Sequence, residues 1–432
     1  MDAETRATPD KAAPTSTAPG WTDPPPHVPP ELVVDFCRFT DDRLRREPHR
    51  RVSEFYATLP PVFWTPRNGG HWIAARSSPA LAMLKRPDLF SSDPRHCPAM
   101  VREPRTNPNQ YDPPEHTQMR AVVGARFDVG AIPALEDGLR ARARALIAEA
   151  APRGRVEFLS ELAQRYPVEI FLEMAGAPLS DREALLGMVE RFTRAPDLAD
   201  RLAALRELAD FLEVYIEERA ACPQGDLLSA VATGRAGDRP LNRGEQRGMA
   251  ALLFLGGLDT VAAMLSFIMD YLARHPGQYR RLVTEPDLLP RALHEMIRYF
   301  GVASMDRAAT GDFEFEGLRF RAGDRISFTT QTYGLDNPRI ENPLEIDFDR
   351  RMAPHNIFGA GAHRCLGAHL AYAEMRIFLQ EWLARFDHFE IEAGAEPETF
   401  SGIVWSPVAV PLVWDPSVLR DPPDAAAKGD HG

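Results

Sequence analysis

The stretch "FGAGAHRCLGAH", Phe358 to His369, decides how the rest of the chain is read. It holds three glycines, two histidines and one of the chain's four cysteines. Downstream, Leu366, Leu370, Ala373, Ile377 and Phe378 recur at threes and fours, which predicts a helix over 365–386. Cys365 then falls at or just before its first turn. Unpaired backbone N–H groups there favour negative charge, so the thiol is expected to have a lowered pKa. Gly359, Gly361 and Gly367 permit turns that a Cβ blocks and let a flat ligand lie close to the backbone. A thiolate facing a large planar metal cofactor needs this arrangement. Three other readings stand beside it: a buried structural cysteine, a zinc site of His363, Cys365 and His369 without a clear fourth ligand, and a nucleophilic Cys–His pair.

Outward from this loop, the chain of 432 residues is 44% hydrophobic, ample for a large core. Helical periodicity covers about 131–151, 157–175, 198–220, 241–275 and 288–300, and Pro276 is expected to stop the longest of these. Strand patterns are few: 70–77, a hairpin plus a further strand over 313–328, and 403–414. The fold class is therefore mainly α with a small β region, in one domain over 31–416. Residues 1–30, rich in Pro, Ala and Thr, and 417–432 read as disordered tails. Met249 to Met269 is almost wholly apolar, but Gly256, Gly257, Asp259, Thr260 and Ser266 interrupt it, so a buried central helix is favoured over a membrane span. Cys37, Cys97, Cys222 and Cys365 are scattered, and no apolar signal core opens the chain, which fits a reducing cytoplasm. A net charge of −12 speaks against general nucleic-acid affinity.

Three further motifs carry chemistry. "HEMIR" puts Glu295 and Arg298 three apart on one helix face, and Arg350 is the candidate to complete a buried network. "LGGLDTVAAML" places Gly256 and Gly257 inside a helix, at a cost of about 1 kcal/mol each relative to Ala, which implies close approach or local widening of the helix. Asp259 and Thr260 follow at once, either as a proton relay or with the hydroxyl simply bonded back to a helix carbonyl. "DPPEHTQMR" sets His116 and Arg120 four apart, as an anion clamp or a solvated basic face.

In their order and spacing these motifs resemble the cytochrome P-450 family of haem-thiolate monooxygenases, over about residues 25–416. "PPHVPPELVVDF", "NGGHWIA", "GGLDT", "SGIV" and "PLVWDP" are similar to the bacterial camphor hydroxylase and its relatives. The resemblance implies a triangular helical body with a small β domain and haem b between the long central helix and the cysteine helix. It implies Cys365 as the axial thiolate, with Phe358 and Gly367 beside it. His116, Arg120, Arg307 and His363 would hold the haem propionates. Glu295, Arg298 and Arg350 would form the structural triad. Asp259 and Thr260 would be catalytic, delivering protons during dioxygen activation, and Gly256 and Gly257 would leave room at the haem. Leu252, Leu255, Ala303, Ile403 and Val404 would line an apolar substrate pocket. Electrons would come from a separate ferredoxin and its NADH-dependent reductase, met by Arg120 and Arg364.

The chain departs from the camphor enzyme over 93–111, where no tyrosine falls at the substrate-bonding position; His96 and Tyr111 are the candidates to replace it. Met305 stands where that enzyme has an acid near a propionate, with Asp306 next to it. The substrate implied is a small hydrophobic monoterpenoid or norisoprenoid rather than camphor. Two rivals remain at this point: a peroxide-driven peroxygenase on the same fold, and a haem-binding protein without catalysis.

Overall fold

The helical period is realised in a computed structural model that describes residues 20–195 and 197–420. Its α-helices are α1 (Pro48–Ala57), α2 (Ser77–Leu84), α3 (Glu115–Gly124), α4 (Glu136–Ala150), α5 (Arg165–Ala175) and α6 (Arg182–Arg194). The series continues with α7 (Leu198–Ala221), α8 (Leu227–Ala232), α9 (Arg243–Arg274), α10 (Pro276–Thr284), α11 (Leu289–Tyr299) and α12 (Ala368–Arg385). The mainly α class is as the sequence implies.

Helix α9 is the axis of the core. Asn242 and Glu245 form a reciprocal capping box at its start, which satisfies two otherwise orphaned donors. Pro276 both ends α9 and opens α10, because a proline is acceptable at the first helical position, where its missing N–H has no partner to lose. Of the most apolar 18-residue window of α9, 72% is buried inside the protein, so this is the core helix expected rather than a lipid-facing one. Helices α5, α6, α7, α8 and α12 all pack against it. The local widening expected at Gly256–Gly257 does not occur: α9 is α-helical throughout. Its close approach is real, however. A Cβ on Gly257 would lie 2.1 Å from Phe171 Cζ, so this glycine lets α5 cross α9.

The β region is a five-stranded sheet in the order Val62–Thr65, His71–Ala74, Arg325–Phe328, Met305–Ala309, Phe90–Ser91. The third strand runs parallel to His71–Ala74 and antiparallel to Met305–Ala309, with Ile326 opposite Arg307. Side chains alternate across a strand, so Met305 and Arg307 share one face and Asp306 takes the other. The hairpin expected near 313–328 is Phe313–Phe315 with Leu318–Phe320, and 403–414 supplies Trp405–Pro407 and Pro411–Val413.

The tail boundaries need correction. Residues 20–30 pack rather than hang free: the Thr22 amide donates to the Pro66 carbonyl at 2.9 Å and Val28 is buried. At the other end the Arg420 amide donates to the Arg385 carbonyl at 3.0 Å. The rest of both tails, 1–19 and 421–432, lies outside the described residues.

Candidate active site

The glycine loop closes on itself. The Cys365 amide donates to the Phe358 carbonyl at 2.9 Å across a 3-10 turn, Gly361–His363. Gly359 and Gly361 have φ of +71° and +70°, which a side chain would strain. A Cβ on Gly361 would also sit 2.5 Å from the Leu84 carbonyl oxygen, so this glycine serves chain packing rather than ligand approach. Gly367 differs: a Cβ there would meet nothing within 4 Å. The Phe358 ring packs 5.7 Å from Tyr372 and 5.9 Å from His355.

Helix α12 begins only at Ala368, three residues beyond the cysteine. The expected low thiol pKa is therefore not found. Burial pushes the Cys365 thiol up, and the Gly367 amide, Arg120 and Arg364 pull it down by less. Only a stronger charge would make it a thiolate, and a coordinated metal ion deprotonates a thiol outright. Cys365 lies deep in the protein yet retains accessible surface, so that surface faces an interior space. The zinc reading fails, since among the described residues no three His, Cys, Asp or Glu side chains gather as ligands.

On α9, Leu252, Gly256 and Thr260 are spaced by four and lie on one face. All three keep accessible area in a helix that is otherwise mostly buried. A Cβ on Gly256 would meet nothing within 4 Å, so room on this face comes from Gly256 and not, as expected, from both glycines. Thr260 Oγ1 donates to the Gly256 carbonyl at 2.9 Å. Asp259 is buried at 7% exposure. Burial pushes its carboxyl up; the Arg194 charge and a Thr193 hydroxyl bond act the other way.

Four basic groups converge near the cysteine loop. The His116 and His363 rings lie 4.0 Å apart, and both ring nitrogens of His116 are buried without a partner. Burial, then Arg120 and Arg307, lower His116 to about 4. Burial, Arg307, His116 and Arg120 lower His363 to about 2. Burial lowers Arg307 to about 10, against the pull of Asp112 and Asp306. Carboxylates placed among them would relieve this mutual repulsion. Asp306 does not serve here: its side chain faces away and pairs with Arg38 at 3.0 and 3.2 Å.

The triad forms as expected. Arg298 grips both Glu295 oxygens at 2.7 and 2.8 Å, and Arg350 Nε donates to one of them at 2.9 Å. Arg298 also donates to the carbonyls of Gly334, Pro343 and Glu345, which fastens the irregular 334–350 segment to α11. Burial would raise the Glu295 carboxyl, but Arg298 and then Arg350 hold it below its usual range.

The expected pocket residues meet in part. Ala303 and Val404 form an isolated β-bridge, and the Ser304 amide donates to the Ile403 carbonyl at 3.2 Å. Leu255 and Val404 are buried; Leu252, Ala303 and Ile403 are half-buried. Neither candidate for the missing tyrosine is placed with them. Tyr111 stacks under the Arg105 guanidinium at 3.5 Å, and His96 is exposed with its carbonyl beside Gly323. Among the charged and polar side chains of 93–111, Asp93, Thr106, Asn107 and Gln110 are buried, and half-buried Arg102 lies over the Phe192 ring at 5.9 Å. Sequence reading passed over it because an arginine in a polar loop looks solvated.

Haem b fits these residues. The partnerless His116 nitrogens with Arg120, Arg307 and His363 match two propionate carboxylates. Open space at Gly256 and Gly367 suits a planar ring, and Cys365 supplies the sulfur. The cytochrome P450 family model matches residues 188–412. A probable cytochrome P450 127A1 of Sinorhizobium fredii is 33% identical over 400 residues, covering 90% of this chain and 96% of that protein. Cytochrome P450-terp of a Pseudomonas species is 27% identical over 378 residues, covering 79% and 87%. The crystal structures of CYP101J2 and CYP101C1 superpose with TM-scores of 0.83 and 0.82, each at 34% identity over 91% of this chain and all of theirs. The chain therefore belongs to the cytochrome P450 family of monooxygenases, whose haem b is held by a cysteine thiolate, here that of Cys365.

Proposed function

We propose that this monooxygenase hydroxylates a C–H bond of a molecule of monoterpenoid or norisoprenoid size, with electrons from a separate ferredoxin, in the cytoplasm. The observation that carries the reading is the pairing of a buried Asp259 with Thr260 on the α9 face that also bears Gly256. Haem b supplies dioxygen activation and the oxidising power for the C–H bond.

The chain's own residues supply the rest. His116, Arg120, Arg307 and His363 hold the propionates, and Cys365 holds the iron. Glu295, Arg298 and Arg350 fix the segment that leads into the cysteine loop. Asp259, kept protonated more readily by burial, is the proton donor, and the nearby Arg194 charge and Thr193 hydroxyl oppose that effect. Thr260 spends its own proton on the Gly256 carbonyl, which leaves its oxygen lone pairs free to accept a hydrogen bond from the site. Leu252, Leu255, Ala303, Ile403 and Val404 exclude water around the apolar substrate body. Exposed Arg364 and half-buried Arg120 present positive charge to an acidic ferredoxin.

The test is the spectrum of the reduced protein under carbon monoxide, followed by turnover with a ferredoxin chain and, separately, with hydrogen peroxide. A thiolate-type Soret band and ferredoxin-dependent hydroxylation support the proposal. Turnover with peroxide alone would transfer it to a peroxygenase, for which the Asp259–Thr260 pair has no use.

A further inference from the structure

A second group of arginines lies away from the propionate cluster. Arg38 and Arg201 stack on the Phe39 ring at 4.8 and 5.7 Å, and Arg102 on Phe192 at 5.9 Å. Four separate parts of the chain meet here: the N-terminal segment, the 93–111 loop, α6 and the start of α7. The segment around Phe400 joins them, since Ser401 Oγ donates to the Phe39 carbonyl at 2.7 Å. The carboxylate nearest Arg102 is Asp306, and Arg38 already occupies both of its oxygens while Arg325 also acts on it. Arg201 Nε donates to the Ala195 carbonyl and forms no ion pair among the described residues. Arg102 makes neither an ion pair nor a hydrogen bond among the described residues.

Arg102 and Arg201 are half-buried without an acid partner in a chain of net charge −12, whereas Arg298, Arg350 and Arg38 each pair with one. Burial lowers the pKa of Arg102; Asp306 opposes this, and Arg38 and Arg201 add to it. Burial likewise lowers Arg201, with Arg38 adding to the effect. An isolated guanidinium away from water is costly unless something negative meets it. The residue after Phe192 is Thr193, whose hydroxyl donates to the Val189 carbonyl at 3.0 Å and lies near enough to Asp259 to lower its carboxyl. The arginine end and the proton-relay end of the site thus share the last turn of α6.

We propose that Arg102 and Arg201 are the anion-binding end of the substrate site, and that the natural substrate is an amphipathic molecule with an apolar body and a carboxylate. The carboxylate, a planar acceptor, suits the guanidinium fork of Arg102, and the aromatic faces of Phe192 and Phe39 hold both forks in place. Held at that end, the apolar body reaches toward Leu252 and Ala303, and the fixed tail sets which carbon is presented. This deepens the function proposed above and rests on it.

The experiment uses the haem-loaded full chain and two matched probe pairs, geranate with geraniol and decanoate with decan-1-ol. Binding is followed by titration calorimetry and by the ferric spin-state shift. Each acid should bind about ten-fold more tightly than its alcohol, the size of one charge-assisted contact. Arg102→Leu should erase that preference by weakening the acid alone, Arg102→Lys should keep part of it, and Arg201→Leu should reduce it. The acid's affinity should fall with ionic strength while the alcohol's does not. If no acid outbinds its alcohol, or if Arg102→Leu leaves the ratio unchanged, the carboxylate assignment is overturned. Haem content and the carbon monoxide spectrum of the same samples report separately on the family function. Loss of haem in Arg102→Leu would instead make this arginine a propionate ligand and also overturn the proposal.

Discussion

Thr260 Oγ1 donates to the carbonyl of Gly256, one turn back on α9, at 2.9 Å. The same bond is the ordinary behaviour of a helical threonine and the means by which its oxygen is aimed. The two readings differ in what happens when the hydroxyl goes. Thr260→Ala should leave the fold and the carbon monoxide spectrum intact, because the lost bond is worth only about 1 kcal/mol. It should divert reducing equivalents to hydrogen peroxide. Product formed per NADH oxidised should fall several-fold while NADH consumption stays near the parent rate. Coupling equal to the parent would leave Thr260 a purely structural residue.

Asp259 should reveal itself in the pH profile. Burial raises its pKa, so the proton-carrying form is present below that raised value and is lost as pH rises through it. Turnover should decline on the alkaline side. Asp259→Asn should cut kcat about a hundred-fold and flatten that limb, with KM little changed. A retained alkaline limb in the variant would assign the titration elsewhere.

Glu295→Gln should be far more damaging than a surface change. It leaves Arg298, which has no exposed surface, and Arg350 without their charge partner. Breaking a buried ion network from one side costs about 3–5 kcal/mol. The expected result is poorly haem-loaded protein with a lowered melting temperature. A variant that loads fully and melts like the parent contradicts the clamp on 334–350.

Glu374, on α12, is buried with one oxygen unpartnered, and burial pushes its carboxyl up to about 8. In the unfolded chain it ionises near 4.5. Between those values the unfolded state releases its proton and the folded state keeps it, so stability falls as pH rises and levels off above 8. Glu374→Gln should remove that slope. Its melting temperature should match the parent at pH 4.5 and exceed it by a few degrees at pH 8.5. Parallel melting curves at both pH values would argue against the buried acid.

How far the sequence was legible follows the range of the interactions. Helix α9, the α11 pair and the cysteine loop are local patterns, and each lies where periodicity and spacing put it. Helices α1, α2, α6, α8 and α10 escaped; α1, α2, α8 and α10 are short, and the starts of α2 and α10 near Ser77 and Pro276 read equally well as turns or stops. The thiol's pKa was misjudged because position near a helix start is local, whereas the burial that outweighs it is not. Arg102 was missed for the same reason: Phe192, Arg38 and Arg201 come to it from distant parts of the chain. The Glu295–Arg298 pair was legible from its spacing of three, whereas Arg350 lies 55 residues from Glu295 and could be offered only as a candidate.

The neighbouring glycines of α9 answer to different owners. At Gly257 any side chain would collide with Phe171, so that position belongs to the frame and tolerates no experiment. At Gly256 a methyl group meets no protein atom within 4 Å, because this face fronts the space that suits the haem ring. A side chain at 256 would therefore take its volume from the space given to haem and substrate, while one at 257 would push apart α9 and α5.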